Sequence, residues 1–96
     1  MKISLSPQRR DDTLLVSKIG DALTINGVEY DFSVVPDGAL LPQGAIDCTW
    51  LASDVERIGG SLHLTLILPH GEAASEAARF PSPLINPADG PLELPQ

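Results

Sequence analysis

Ninety-six residues are enough for one domain with a single modest core, and they leave no room for a second domain or a deep enclosed cavity. A formal net charge of −7 and a pI near 4.4 argue against a nucleic-acid partner, because phosphate binding needs clustered Lys and Arg. The chain's adjacent basic pair, Arg9-Arg10, is followed at once by Asp11-Asp12.

The hydrophobic fraction of 43% suits a globular chain. The aromatic residues are Tyr30, Phe32, Trp50 and Phe80, so the core is expected to be built from Leu, Ile, Val and Ala. Cys48 is alone, which excludes an intramolecular disulfide. No apolar run approaches the roughly 18 residues of a membrane span. The opening Met1-Lys2-Ile3-Ser4-Leu5-Ser6-Pro7 lacks the apolar run of a signal peptide. The expected location is the cytoplasm, or an assembly built there.

Residues 2–5 alternate weakly and predict a short strand ended by Pro7, with a polar turn over Gln8 to Asp12. Two hairpin signals follow, Gly20-Asp21 and Asn26-Gly27, whose residue types tolerate the positive φ of type I′ and II′ turns. Together they fix one register for a meander over 13–33. Ile25 falls opposite Val28 and Leu23 opposite Tyr30; Lys18 falls opposite Leu23 and Val16 opposite Ile25. Directly opposed residues share a sheet face. One face therefore collects Leu14, Val16, Leu23, Ile25, Val28, Tyr30 and Phe32, while Glu29 and Asp31 lie on the other. A slip of one residue would scatter that apolar set.

Pro36-Asp37-Gly38 is a strong turn, and it opens a loop over 36–47 expected to hold one turn of helix or an extended segment packed through Leu40, Leu41 and Ile46. A second hairpin is centred on Gly59-Gly60. Its favoured register sets Val55 against Leu64 and Arg57 against Leu62. The downstream strand places Leu62, Leu64, Leu66 and Leu68 on one face, and His63, Thr65 and Ile67 on the other. Ala and Glu between Glu72 and Phe80 favour a short helix near 72–80, docked by Ala74, Ala77, Ala78 and Phe80. From Pro81 onward, five prolines in sixteen residues exclude a helix or a central strand. Leu84-Ile85 and Leu92–Leu94 can each add an edge strand. The domain reading is a single antiparallel β domain over 1–80 and a Pro-rich C-terminal segment over 81–96, edge-packed or flexible. The fold class is mainly β: a small antiparallel β-sandwich or rolled sheet built from hairpins.

Chemistry-bearing motifs are sparse. No closely spaced His/Cys pair appears, so no metal site and no cofactor are expected. No Gly-x-Ser-x-Gly elbow and no phosphate-binding glycine loop occurs. In Gly59-Gly60-Ser61-Leu62-His63, the Ser and His point to one side of a strand by strand geometry alone. Trp50 is either a core anchor beside Leu51 or an exposed interface anchor, and the core is favoured in a chain with so few aromatics. No catalytic residue is assigned.

The cadence of Leu23-Thr24-Ile25-Asn26-Gly27, Tyr30-Asp31-Phe32-Ser33, Pro36-Asp37-Gly38-Ala39, Gly60-Ser61-Leu62-His63-Leu64-Thr65-Leu66 and Gly90-Pro91-Leu92-Glu93-Leu94-Pro95 resembles small uncharacterised proteins encoded near tail genes in phages and prophages. The resemblance carries no site residues. It implies a non-enzymatic accessory role in phage tail structure or assembly, through protein–protein contacts, with a possible place in the virion. The alternatives are a small hydrolase or metal-dependent enzyme using His63 and His70, and a general adaptor module unrelated to phage. Short β-rich chains with exposed edges commonly pair with themselves, so a homo-oligomer stands among the expected partners.

Overall fold

The computed structural model describes residues 1–71 and 76–94. The strands in chain order are β1 (Lys2–Arg9), β2 (Val16–Ile19), β3 (Ala22–Ile25), β4 (Val28–Asp31), β5 (Leu40–Leu41), β6 (Val55–Ile58), β7 (Ser61–His70), β8 (Leu84–Ile85) and β9 (Gly90–Pro91). A 3-10 turn covers Gln43–Ala45 and one helical turn, α1, covers Glu76–Arg79. The strands form two sheets, here sheet A in the order β5-β6-β7-β1-β8 and sheet B in the order β4-β3-β2-β9.

The meander forms in the register its turns dictate: Val16↔Ile25, Lys18↔Leu23, Leu23↔Tyr30 and Ile25↔Val28. Asn26 and Gly27 both hold positive φ, 48° and 84°, as a type I′ turn requires. The Asn26 side chain also acts as a stand-in peptide group. Its Oδ1 accepts from the Leu15 N–H and its Nδ2 donates to the Thr13 carbonyl. This pins the segment entering β2 to the tip of the next hairpin. The second hairpin adopts the favoured register, with Arg57↔Leu62.

Leu14, Val16, Leu23, Ile25 and Phe32 are buried on the inner face of sheet B. They meet Ile3, Leu5, Val55, Leu62, Leu64, Leu66 and Leu68 from sheet A in one continuous core. Full burial of side chains of this size is worth about 1.5–3 kcal/mol each, so this shared layer holds the two sheets together. Two members of the predicted meander face depart from it. Val28 is 52% exposed, because it ends the turn on the outermost strand and no neighbour covers it. Tyr30 is half-buried, and its hydroxyl reaches out to donate to the Asp47 carbonyl at 3.1 Å.

Several expectations need correction. Pro7 does not end the first strand, which runs on to Arg9 and pairs in parallel with β7 from Lys2↔His63 to Arg9↔His70. The Arg10 N–H donates to His70, while the Met1 carbonyl accepts from Asn86 on the other flank. Odd-numbered backbone groups of β1 therefore point away from β7, and Pro7 sits where a missing N–H costs no ladder bond. The same pairing makes sheet A mixed, although the remaining strand pairs are antiparallel. The 36–47 loop holds both the expected extended piece, β5, and a helical turn, and Leu41 and Ile46 pack against the core as expected; only Leu40 departs, at 48% exposed. In the predicted helix, residues 72–75 (with Ala74) lie outside the described residues. The described part is a single turn in which Ala78 is buried while Phe80 is 77% exposed, so Phe80 does not dock it.

The described part of the Pro-rich segment, up to Leu94, runs along the edges of both sheets. Leu84-Ile85 pair with Ile3 and Lys2 at the edge of sheet A. Gly90-Pro91 pair with Lys18 and Ser17 at the edge of sheet B, two residues ahead of the predicted strand at Leu92. Pro91 suits an edge because it has no N–H to leave unpaired. The segment thus crosses from one sheet to the other and straps one side of the sandwich, with Leu84, Leu92 and Leu94 packed against the core. Asp89 fastens it to the β2–β3 turn by accepting from Lys18 Nζ at 2.8 Å and from the Gly20 N–H at 3.1 Å. Those two bonds, the lysine first, hold the Asp89 carboxyl below its ordinary range.

Candidate functional site

Strand alternation leaves one set of side chains on the outer face of sheet A. The register joins Leu40, Glu56, His63, Lys2 and Ile85 into a single row across all five strands. Directly paired residues share a face, so the row has aliphatic ends and a charged middle. Leu40 and Ile85 are 48% and 60% exposed, and Ile58, two residues beyond Glu56, is 53% exposed. A shallow groove of about 310 Å³ lies along the row, lined by Lys2, Ser4, Asp54, Glu56, His63 and Thr65 among others. At its border the Ser53 hydroxyl accepts from the Thr65 N–H at 2.8 Å. The groove thus offers both charges, hydroxyls and an imidazole on a rigid floor, flanked by apolar side chains.

The structure separates the two histidines. They lie seven residues apart on β7, with no bulge in the parallel register. An odd spacing puts them on opposite faces, roughly 23 Å apart along the strand. His63 stands in the outer groove, whereas His70 ends the strand with its ring nitrogen Nδ1 3.1 Å from the Gly71 carbonyl. They cannot share a metal ion or a substrate atom. Ser61 and His63 do share the outer face, but same-face neighbours are roughly 7 Å apart along a strand, and no hydrogen bond joins them. Among the described residues, no group of three His, Cys, Asp or Glu side chains gathers at metal-binding distance.

Trp50 is half-buried against the core. The Arg10 guanidinium lies 4.4 Å from its ring centroid and also contacts Asp12 at 2.6 Å. The ring is therefore sandwiched between core and cation. Cys48 lies nearby: its side-chain hydrogen bond with Tyr30, followed by burial and the charges of Cys48 and Asp47, raises the pKa of the phenol. A wider depression of about 920 Å³ lies beside the strap, between residues 12–17, Leu68-Pro69 and Pro91–Leu94. Among the described residues its charged lining consists of Asp12 and Glu93, and no histidine, cysteine or basic side chain reaches it.

Arg57 is the residue whose importance sequence reasoning missed. Its pairing with Leu62 puts it on the core side of β6. From there Nε donates to the Val35 carbonyl at 2.5 Å, Nη1 to Gly60 at 3.2 Å, and Nη2 to Asp21 at 3.0 Å and Phe32 at 3.3 Å. One guanidinium ties sheet A to the β2–β3 turn and to the loop leaving β4. The signal was an arginine on an otherwise apolar strand face, since a charge there must find partners. Comparison of the chain with known protein families, characterised proteins and solved structures finds no match.

Proposed function

We propose that this chain is a non-enzymatic accessory protein of phage tail structure or assembly, acting through protein–protein contacts. The observation that carries the reading is the outer face of sheet A, where Leu40, Ile58 and Ile85 stand exposed around the groove of Lys2, Glu56 and His63. Exposed aliphatic side chains spread over a shallow, open sheet face suit a protein surface better than a small substrate, whose sites are enclosed clefts. Among the described residues no hydrogen bond joins His63 to a hydroxyl or a carboxylate of the groove, whereas an exposed face can receive a partner as it stands. The resemblance to proteins encoded near tail genes supplies the biological setting.

The test is co-purification of the tagged chain from a phage lysate, compared with a variant carrying Leu40→Lys, Ile58→Lys and Ile85→Lys. These side chains are exposed, so the variant should keep the parent's circular dichroism spectrum and melting temperature. Tail structural proteins should accompany the parent and be lost from the variant. Recovery of cellular proteins with no tail component would instead favour an adaptor unrelated to phage. Equal recovery with parent and variant would remove sheet A's outer face from the reading.

A further inference from the structure

We infer that the free edge of β4 receives an extended, lysine- or arginine-bearing segment of a partner protein as a further strand of sheet B. This names a partner chemistry within the association reading above and rests on it.

The four sheet ends differ in what they offer. Strands β5 and β8 are two residues long, and β9 contains Pro91. The fourth end, β4, runs for four residues without proline, and no strand lies beyond it among the described residues. Its bonding pattern follows from the register. The Phe32 N–H donates to the Asp21 carbonyl, and Tyr30 and Val28 lie opposite Leu23 and Ile25. In an antiparallel ladder these alternate residues exchange both bonds with β3. The backbone N–H and C=O groups of Glu29 and Asp31 therefore point outward, ready for an added strand.

Side-chain chemistry selects the occupant. Glu29 and Asp31 share the face of sheet B turned away from the core, opposite Thr24 and Ala22. Among the described residues neither carboxylate forms an ion pair with a cation. Asp31 accepts from the Ser33 N–H at 2.9 Å, which favours its charged form. Side chains of an added strand would stand roughly 5 Å from these carboxylates. Lysine or arginine there gains two favourable neighbours. A second copy paired antiparallel through β4 would face like charges across the new ladder, which is destabilising, so self-pairing does not fit this edge. Val28, half out of the core at the strand's start, offers an apolar contact for an alternate position.

The experiment titrates a short peptide of alternating lysine and valine into the isotopically labelled full chain, following backbone amides by NMR. Glu29 and Asp31 amides should shift and gain protection from exchange. Glu29→Pro removes an outward N–H without touching a bond to β3 and should weaken binding about ten-fold, as loss of a strand's backbone bonding implies. Glu29→Gln keeps the edge and should weaken binding only about three-fold, with a shallower salt dependence, as for an exposed ion pair. An acidic peptide of the same pattern should not bind. The inference is overturned if the basic peptide fails to bind, if Glu29→Pro binds as tightly as the parent, or if the amides that respond belong to sheet A. That last result would leave association through protein contacts standing while removing this edge. Concentration-dependent broadening of the β4 amides without peptide would show a second copy as the occupant instead.

Discussion

The sandwich is closed by different means on its two sides. On one side the Pro-rich segment lends main chain: Leu84-Ile85 extend sheet A, Gly90-Pro91 extend sheet B, and three leucines turn inward between them. On the other side one side chain does the joining, as Arg57 donates to four acceptors on the turns and loops of both sheets. The strap spreads its contribution over several small contacts. The arginine concentrates its contribution in one group, so it is sensitive to geometry. Main-chain closure needs little beyond extended backbone and scattered aliphatics, which proline-rich sequence supplies. Side-chain closure needs four acceptors placed within reach of one planar fork.

Deleting residues 82–96 should break the first closure and produce the largest change. Three partly buried leucines and two strand pairs are lost, about 3–5 kcal/mol in all, read from guanidinium denaturation. An unchanged midpoint and an unchanged mass in light scattering would show the strap to be a passive end. The core beneath both closures provides the reference. Ile25, 3% exposed, should cost about 2–4 kcal/mol when changed to alanine, and exchange protection should fall on both sheets alike. Protection lost from sheet B alone would mean the two layers do not unfold as one unit.

Arg57→Ala should come next, at about 2 kcal/mol, or a fall in Tm of about 8–16 °C for a chain of this size. Arg57→Lys keeps the charge but not the fork, and should recover less than half of that loss. Full recovery would reassign the closure to charge alone. β8 lies three strands from β6, roughly 14 Å, but Asp89 and Arg57 hold neighbouring residues of the β2–β3 turn, Gly20 and Asp21, so combining Arg57→Ala with the deletion should depart from additivity by about 0.5 kcal/mol or more. Strict additivity would show that the two closures act independently.

The smallest effect belongs to acid. Asp89 has a folded pKa below its unfolded value because Lys18 and the Gly20 N–H hold its charged form. Its contribution is therefore present above the unfolded value, near 3.9, and disappears as pH falls through the lower folded value. Exchange protection at Gly90 and Leu92 should decline in that range before the rest of sheet B responds. Asp89→Asn should remove the pH dependence while leaving the Ile25 region protected.

Much of the fold was legible because local rules and the global pattern agreed. Asn26-Gly27 and Gly59-Gly60 fixed two hairpin registers, since each turn type permits one backbone twist and a slip would turn every apolar side chain outward. The same alternation put His63 and Thr65 on the outer face of β7, which made the floor of the groove readable from sequence. The five-strand row was not readable, because it needs β1 beside β7 in parallel and β8 beside β1. Those pairs join residues about sixty and eighty positions apart, and no turn chemistry encodes them.

The sequence by itself determined the hairpins, the apolar faces and the edge character of the proline-rich end, all consequences of backbone geometry within a few residues. Tertiary structure alone decided the rest. It carried β1 through Pro7, because that residue's backbone faces away from the ladder. It left Val28 and Phe80 exposed, because nothing among the described residues packs over them closely enough to cover them. It turned Arg57 from a charge on an apolar strand face into the clasp between sheets, since acceptors from Asp21, Phe32, Val35 and Gly60 converge only once both layers are stacked.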